Sequence, residues 1–240
     1  MKETTTQELD RLFAVQKAAF AKDRNPSLET RLARLRALDA AMVEFREPFR
    51  AAVSADFANH HPLVTDLFES GAVVARSRYI QAVLAEWMKP SPRELNAQVH
   101  GSSKAWVVKQ PKGVVGNIAP WNFPIECALI MVADMLAAGN RVIVKTSELA
   151  PKTAEVVRQA IAKHFAEDVV AVTCGGTELA QYFAGLPWAH LTYTGSTRVG
   201  RLVMQAAAKN LTPVTLEMGG KNPTVFAEDG LEDGLVERFL

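Results

Sequence analysis

The sequence predicts an α/β fold, a parallel sheet with helices on both faces, preceded by a helical segment and a β-hairpin arm. Three observations carry this. Over roughly the first ninety residues, apolar side chains recur at three- and four-residue steps. From Gly113 onward, short β-branched runs alternate with helical stretches through short links. Those runs show no in/out alternation, which marks strands covered on both faces.

The elements follow in order. Leu28, Leu32, Leu35, Leu38, Met42 and Phe45 form an apolar stripe, with Arg31, Arg34 and Glu44 off it. Ser27 stands where an N-cap belongs, with Glu29 in the first turn. A second helical stretch runs from about Val64 to Met88 and stops at "KPSP", because Pro90 and Pro92 cannot continue a helix. The segment "QVHGSSKAWVVKQPKG" reads as two extended pieces around a Gly-Ser turn, a hairpin over 97–112. Then come "GVVGNIAP" before "PIECALIMVADMLAAG", "RVIVKTS" before "PKTAEVVRQAIAKHF", and "VVAVTCG" before "TELAQYFAGL". "HLTYTG" before "STRVGRLVMQAAAKN" and a last strand "PVTLEM" complete the series. Such alternation implies right-handed crossovers, and ligands then bind at the carboxyl ends of the strands.

Bulk properties narrow the partners. Across 240 residues the formal net charge is +1, without a block of like charge, so neither nucleic acid nor an acidic membrane is expected. The polar start "MKETTTQELD" shows no secretory signal, and "CALIMVADMLAA" is interrupted by Asp134 and too short to span a bilayer. Two cysteines, Cys127 and Cys174, are too few for a disulfide framework, which points to a cytoplasmic setting. His60, His61, His100, His164 and His190 lack paired ligand spacing, so no metal site is expected.

Four strand ends carry candidate chemistry. "APWNFP" presents Asn122 on a proline-fixed turn, either as an amide donor to a developing oxyanion or as a helix cap. "KTSE" places Lys145 and Glu148 to address nucleotide hydroxyls, or leaves them in solvent with Ser147 capping the next helix. "TGSTRVG" opens a helix at Ser196 after Gly195, a weak phosphate signal that is not G-x-G-x-x-G. Glu217 in "TLEMGGKNP" sits between Leu216 and Met218, so desolvation is expected to push its pKa toward neutrality and suit it to take a proton from water. The plain alternative is a salt bridge to Lys221 or Arg201.

In this order, "PWNFP", "KTSE", "TGSTRVG" and "LEMGGKNP" resemble the aldehyde dehydrogenase superfamily, from about Leu12 to the last residue. "LEMGGKNP" is similar to the family's glutamate signature without a mismatch. "EWMKP" and "MQAAAKNLTPVTLEMGGKNP" are most similar to its class 3 branch, and within that to coniferyl aldehyde dehydrogenases.

The resemblance implies helices over 1–96 packed on an NAD-binding Rossmann-like domain over 113–225, with 97–112 as an oligomerisation arm. A catalytic domain would begin at 226–240, the fold being incomplete at the C-terminus. It implies Asn122 in the oxyanion hole and Glu217 as general base. Ile118, Ala119, Pro120 and Trp121 would line the nicotinamide side, Lys145 and Glu148 would hold the adenosine ribose, and Ser196 would meet the pyrophosphate. Ser147, Gly176, Gly195, Val199, Gly200, Met218 and Gly219 complete the implied cofactor set. NAD is the implied cofactor, with NADP possible because relatives accept both. The substrate would be an aldehyde, aromatic such as coniferyl aldehyde or medium-chain aliphatic, oxidised to the acid by a full-length homodimer.

One departure stands out. The family's nucleophilic cysteine is expected beyond Leu240, and Cys127 and Cys174 read as small buried hydrophobes. The chain is therefore expected to be the N-terminal portion of a longer enzyme, inactive alone. The other readings are a CoA-acylating semialdehyde dehydrogenase, which Glu217 disfavours, and a non-catalytic nucleotide-binding or assembly module.

Overall fold

The computed structural model describes residues 3–58, 60–223, 225–227 and 234. Helices α1 (Thr6–Lys22), α2 (Leu28–Glu44) and α3 (Arg46–Phe57) open the chain. A single turn, α4 (Pro62–Val64), runs through a π-helical turn (Thr65–Ser70) into α5 (Gly71–Trp87). Ser27 caps α2 as expected, its side chain accepting from the Thr30 N–H.

The arm differs from its expected form. β1 (Ser91–Arg93) pairs antiparallel with β2 (Ala105–Val107), while the first half of the expected hairpin is a helical turn, α6 (Ala97–His100). Asn96 starts that turn by accepting from the Gln98 N–H, and Gly101 ends it at φ 59°. Local capping therefore takes the segment read as the first extended piece before the Gly-Ser turn.

The sheet follows the expected order. Its strands are β3 (Val114–Ile118), β4 (Arg141–Lys145), β5 (Val170–Thr173), β6 (His190–Gly195) and β7 (Val214–Met218). Between them run α7 (Glu126–Ala137), α8 (Pro151–His164), α9 (Thr177–Ala184) and α10 (Thr197–Ala208). All strands are parallel in the order β5-β4-β3-β6-β7. The chain steps outward from β3 to β5, then returns past β3 to β6, so the crossover direction reverses beside β3.

Both faces of the sheet are covered. Val115, Val142 and Val144 pack into a core with Leu35, Phe49, Ile80 and Leu129 of α2, α3, α5 and α7. Val114, Ile118 and Ile143 point the other way, onto Leu9, Leu12, Leu179 and Val203 of α1, α9 and α10. This is why the strand sequences lack alternation. The N-terminal helices thus supply part of both covering layers. At the amino ends of the strands, His190 bridges Lys112 Nζ and Thr215 Oγ1, each at 2.9 Å. Among the described residues no helix is long and apolar enough to cross a membrane. The expected start of a further domain over 226–240 lies almost wholly outside the described residues.

Candidate functional site

A cleft of about 1180 Å³ opens at the carboxyl ends of β3, β4, β6 and β7. Its wall collects Ile118, Ala119, Pro120, Trp121, Asn122, Lys145, Ser147, Glu148, Gly195, Ser196, Val199, Glu217, Met218 and Gly219. Residues more than ninety positions apart in the chain thus meet in one place.

The turn after β3 is held from two sides. The buried Asn117 amide, inside β3, donates to the Cys127 and Ala128 carbonyls at 3.1 and 3.0 Å. On the other side, Glu69 Oε2 accepts from the Ile125 and Glu126 N–H groups, both at 2.9 Å. Asn122 is not a helix cap: α7 has its N-cap at Ile125, and that residue makes no side-chain cap bond. Asn122 is exposed to the cleft instead. Trp121 stacks on Phe57 of α3 with centroids 6.2 Å apart.

After β4, Lys145 is buried and its ammonium donates to Glu148 Oε2 at 2.8 Å. Burial opposes the charge on Glu148, but the bonds from Lys145 and the backbone outweigh it and hold the carboxyl below its ordinary range. The solvent-facing alternative for Lys145 is therefore excluded. Ser147 does not cap α8; its Oγ accepts from the Leu149 N–H at 3.2 Å, closing the turn that delivers Glu148.

After β6, Ser196 is the N-cap of α10, with its Oγ accepting from the Val199 N–H at 3.3 Å. A Cβ on Gly195 would collide with the Tyr193 hydroxyl, so glycine is required where the strand turns into the helix. Tyr193 also lines the cleft, as do Thr177, Gln181, Ala184, Leu202 and Ala206 from β6, α9 and α10. The sequence reading did not find these six; helix and strand residues outside a motif carry no local signal for facing a ligand.

Two expected cofactor residues do not line the cleft. Gly176 is the N-cap of α9, and Gly200 lies inside α10, where a Cβ would approach Met218 Sδ to 2.7 Å. Gly200 thus permits close packing of α10 on β7. A third correction concerns Glu217. It was expected to be dehydrated, yet Glu217 and Met218 are both exposed. β7 is the last strand of the described sheet, and no further strand shields its outer edge. The alternative bridge to Lys221 or Arg201 is not formed either, since no ion pair among the described residues involves Glu217.

Neither cysteine borders the cleft. Cys127 is half-buried, and burial together with the Glu126 and Glu69 charges pushes its thiol up to about 12. Cys174 is fully buried, and burial raises its thiol as well. Neither supplies a thiolate near neutral pH.

Comparisons with known proteins extend over nearly the whole chain. The model of the aldehyde dehydrogenase family matches residues 1–238. A probable coniferyl aldehyde dehydrogenase of Caulobacter vibrioides is 41% identical over 214 residues, 88% of this chain and 44% of that protein. The substrate-bound Staphylococcus aureus enzyme AldH superposes with a TM-score of 0.86 at 31% identity, over 90% of this chain and 46% of that one. An aldehyde dehydrogenase C of Pseudomonas syringae, solved with NAD+ and octanal, gives a TM-score of 0.79 at 27% identity, over 92% of this chain and 44% of that one. The chain spans about half the length of the curated relatives it matches.

Proposed function

Because the chain belongs to the aldehyde dehydrogenase family, we propose that it is the nucleotide-binding and water-activating part of an NAD(P)-dependent dehydrogenase converting an aldehyde to its acid. One observation supports this reading above the others: a single cleft gathers Asn122, the Lys145–Glu148 pair, the Ser196 helix start and Glu217.

The residues present fit a nicotinamide dinucleotide. The Lys145 ammonium and Glu148 carboxylate offer a donor and an acceptor to ribose hydroxyls. The first N–H groups of α10 face the cleft through Ser196 and suit a pyrophosphate. Ala184 and Ala206 give an apolar slot between α9 and α10 for a purine. When bound, the nicotinamide ring accepts the hydride lost as the aldehyde carbon is oxidised.

The chain's own groups act around that centre. Asn122 donates its amide to the oxygen that gains charge when a thiolate adds to the carbonyl. The thiolate is supplied by polypeptide outside this chain, since both local thiols are held protonated. Glu217 takes a proton from the water that cleaves the resulting thioester. Among the described residues, nothing lies within 4 Å of where a Cβ on Gly219 or Gly220 would stand, so the chain just after Glu217 is open on that side. The substrate is an aromatic aldehyde of the coniferyl type or a medium-chain aliphatic one, and the working enzyme is a homodimer.

Titrating NADH into the folded chain while following its fluorescence tests the reading. Saturable binding that is lost in Lys145→Met is the expected result. A folded wild-type chain that never binds NADH refutes it.

A further inference from the structure

We propose that Glu69 is the positioning residue of the Asn122 turn: one buried carboxylate oxygen, delivered by a π-helical turn, ties down the backbone on which Asn122 is presented. The role assigned to Asn122 rests on the proposed function; the mechanical hold does not.

The geometry begins with the π turn at Thr65–Ser70. Such single widened turns are rare and are found frequently at functional sites. Gly71 makes this one possible, since a Cβ there would collide with the Asp66 carbonyl oxygen. The turn is pinned on α3 by Asp66, which Arg46 and Arg50 both engage. Glu69, only 1% exposed, then reaches the start of α7. Its Oε2 takes both Ile125 and Glu126 N–H groups, the orphan donors of a helix that has no cap of its own.

Asn122 lies three residues before the first of those amides, joined to it by Phe123 and Pro124. Pro124 restricts its neighbours, so fixing Ile125 fixes the exit of the turn. Burial raises the Glu69 carboxyl to about 7, against the two backbone bonds, and the Glu126 charge adds to the rise. The other groups nearby are the Cys127 thiol on α7 and, on α3, Arg46 and Arg50, already committed to Asp66. On α5, Arg76 pairs with Asp134.

Hydrogen-exchange mass spectrometry across 119–127, with N-ethylmaleimide labelling of Cys127, tests the proposal in the 240-residue chain. Glu69→Ala should speed exchange at Ile125 and Glu126, and labelling of Cys127, about tenfold, with β4 and α8 unchanged. Glu69→Gln should restore both, because a carboxamide oxygen accepts the same two bonds. Relative to Glu69→Gln, wild-type protection should fall as pH rises through 7, as ionisation favours release of the carboxylate to water. Unchanged exchange in Glu69→Ala, loosening spread evenly over β4 and α8, or failure of Gln to rescue overturns the proposal. Should Glu69→Ala not fold, Glu69→Met takes its place, and wild-type exchange at Ile125 and Glu126 in that variant overturns it. NADH titration of the same proteins keeps the two ideas apart: absent binding sinks the function and leaves the exchange result standing.

Discussion

At the scale of single residues, Glu148 and Glu69 show two fates of a carboxylate. Glu148 keeps its charge because Lys145 and backbone donors outweigh its burial. A charge held there should repel a 2′-phosphate on the ribose. Glu148→Gln is therefore expected to raise NADP affinity relative to NAD about tenfold, or about 1.4 kcal/mol, measured by parallel titrations. Glu69 has the opposite balance. Its folded carboxyl sits near 7 against 4.5 for the free group, so the folded state binds the extra proton between those values. Stability from this group is accordingly lost as pH rises from about 4.5 through 7, and is flat above. Urea unfolding should show the wild-type advantage over Glu69→Gln shrinking from pH 5 to pH 8 by up to about 3 kcal/mol. The sequence showed which charged residues stand at strand ends, and the positions of Lys145, Glu148 and Glu217 were legible that way. It could not show Glu69, whose importance comes from a contact 56 residues away with the start of α7.

At the scale of elements, the β-strands were readable because burial on both faces leaves its mark on every position of β3, β4 and β5. The arm was not, because Asn96 and Gly101 close a helical turn that competes locally with extension. The π turn was hidden as well, because the sequence reading took Val64 to Met88 as one continuous helical stretch. Its dependence on Gly71 is testable. Gly71→Ala adds a methyl where the Asp66 carbonyl already sits, so the turn must shift. We expect a loss of about 2 kcal/mol, seen as a melting temperature lower by about 6 °C. The environment of Glu217 was misjudged at this scale too, since a strand's composition does not reveal whether it stands in the middle of a sheet or at its margin.

At the scale of the whole molecule, the reversal of crossover direction beside β3 creates the cleft and determines which loops meet there. Motif order along the chain was enough to expect ligands at the carboxyl ends of the strands, because a parallel sheet delivers every strand end to the same rim; the strand order, and with it the reversal, was not legible. Nucleotide binding and turnover are then separable properties. Among the described residues, the cleft proposed to take the nucleotide has no thiol in its wall. Incubated with NAD and an aldehyde, it should bind the nucleotide without accumulating absorbance at 340 nm; steady NADH formation by the purified chain would contradict the assignment.

The bridge from His190 to Lys112 and Thr215 lies at the amino ends of the strands, a full strand length from the cleft. Five residues of β3 separate the two rims, a distance of about 16 Å. That spacing makes the amino rim a natural handle for a fluorophore or an affinity tag, close enough to report on occupancy by energy transfer and too far to touch the occupant.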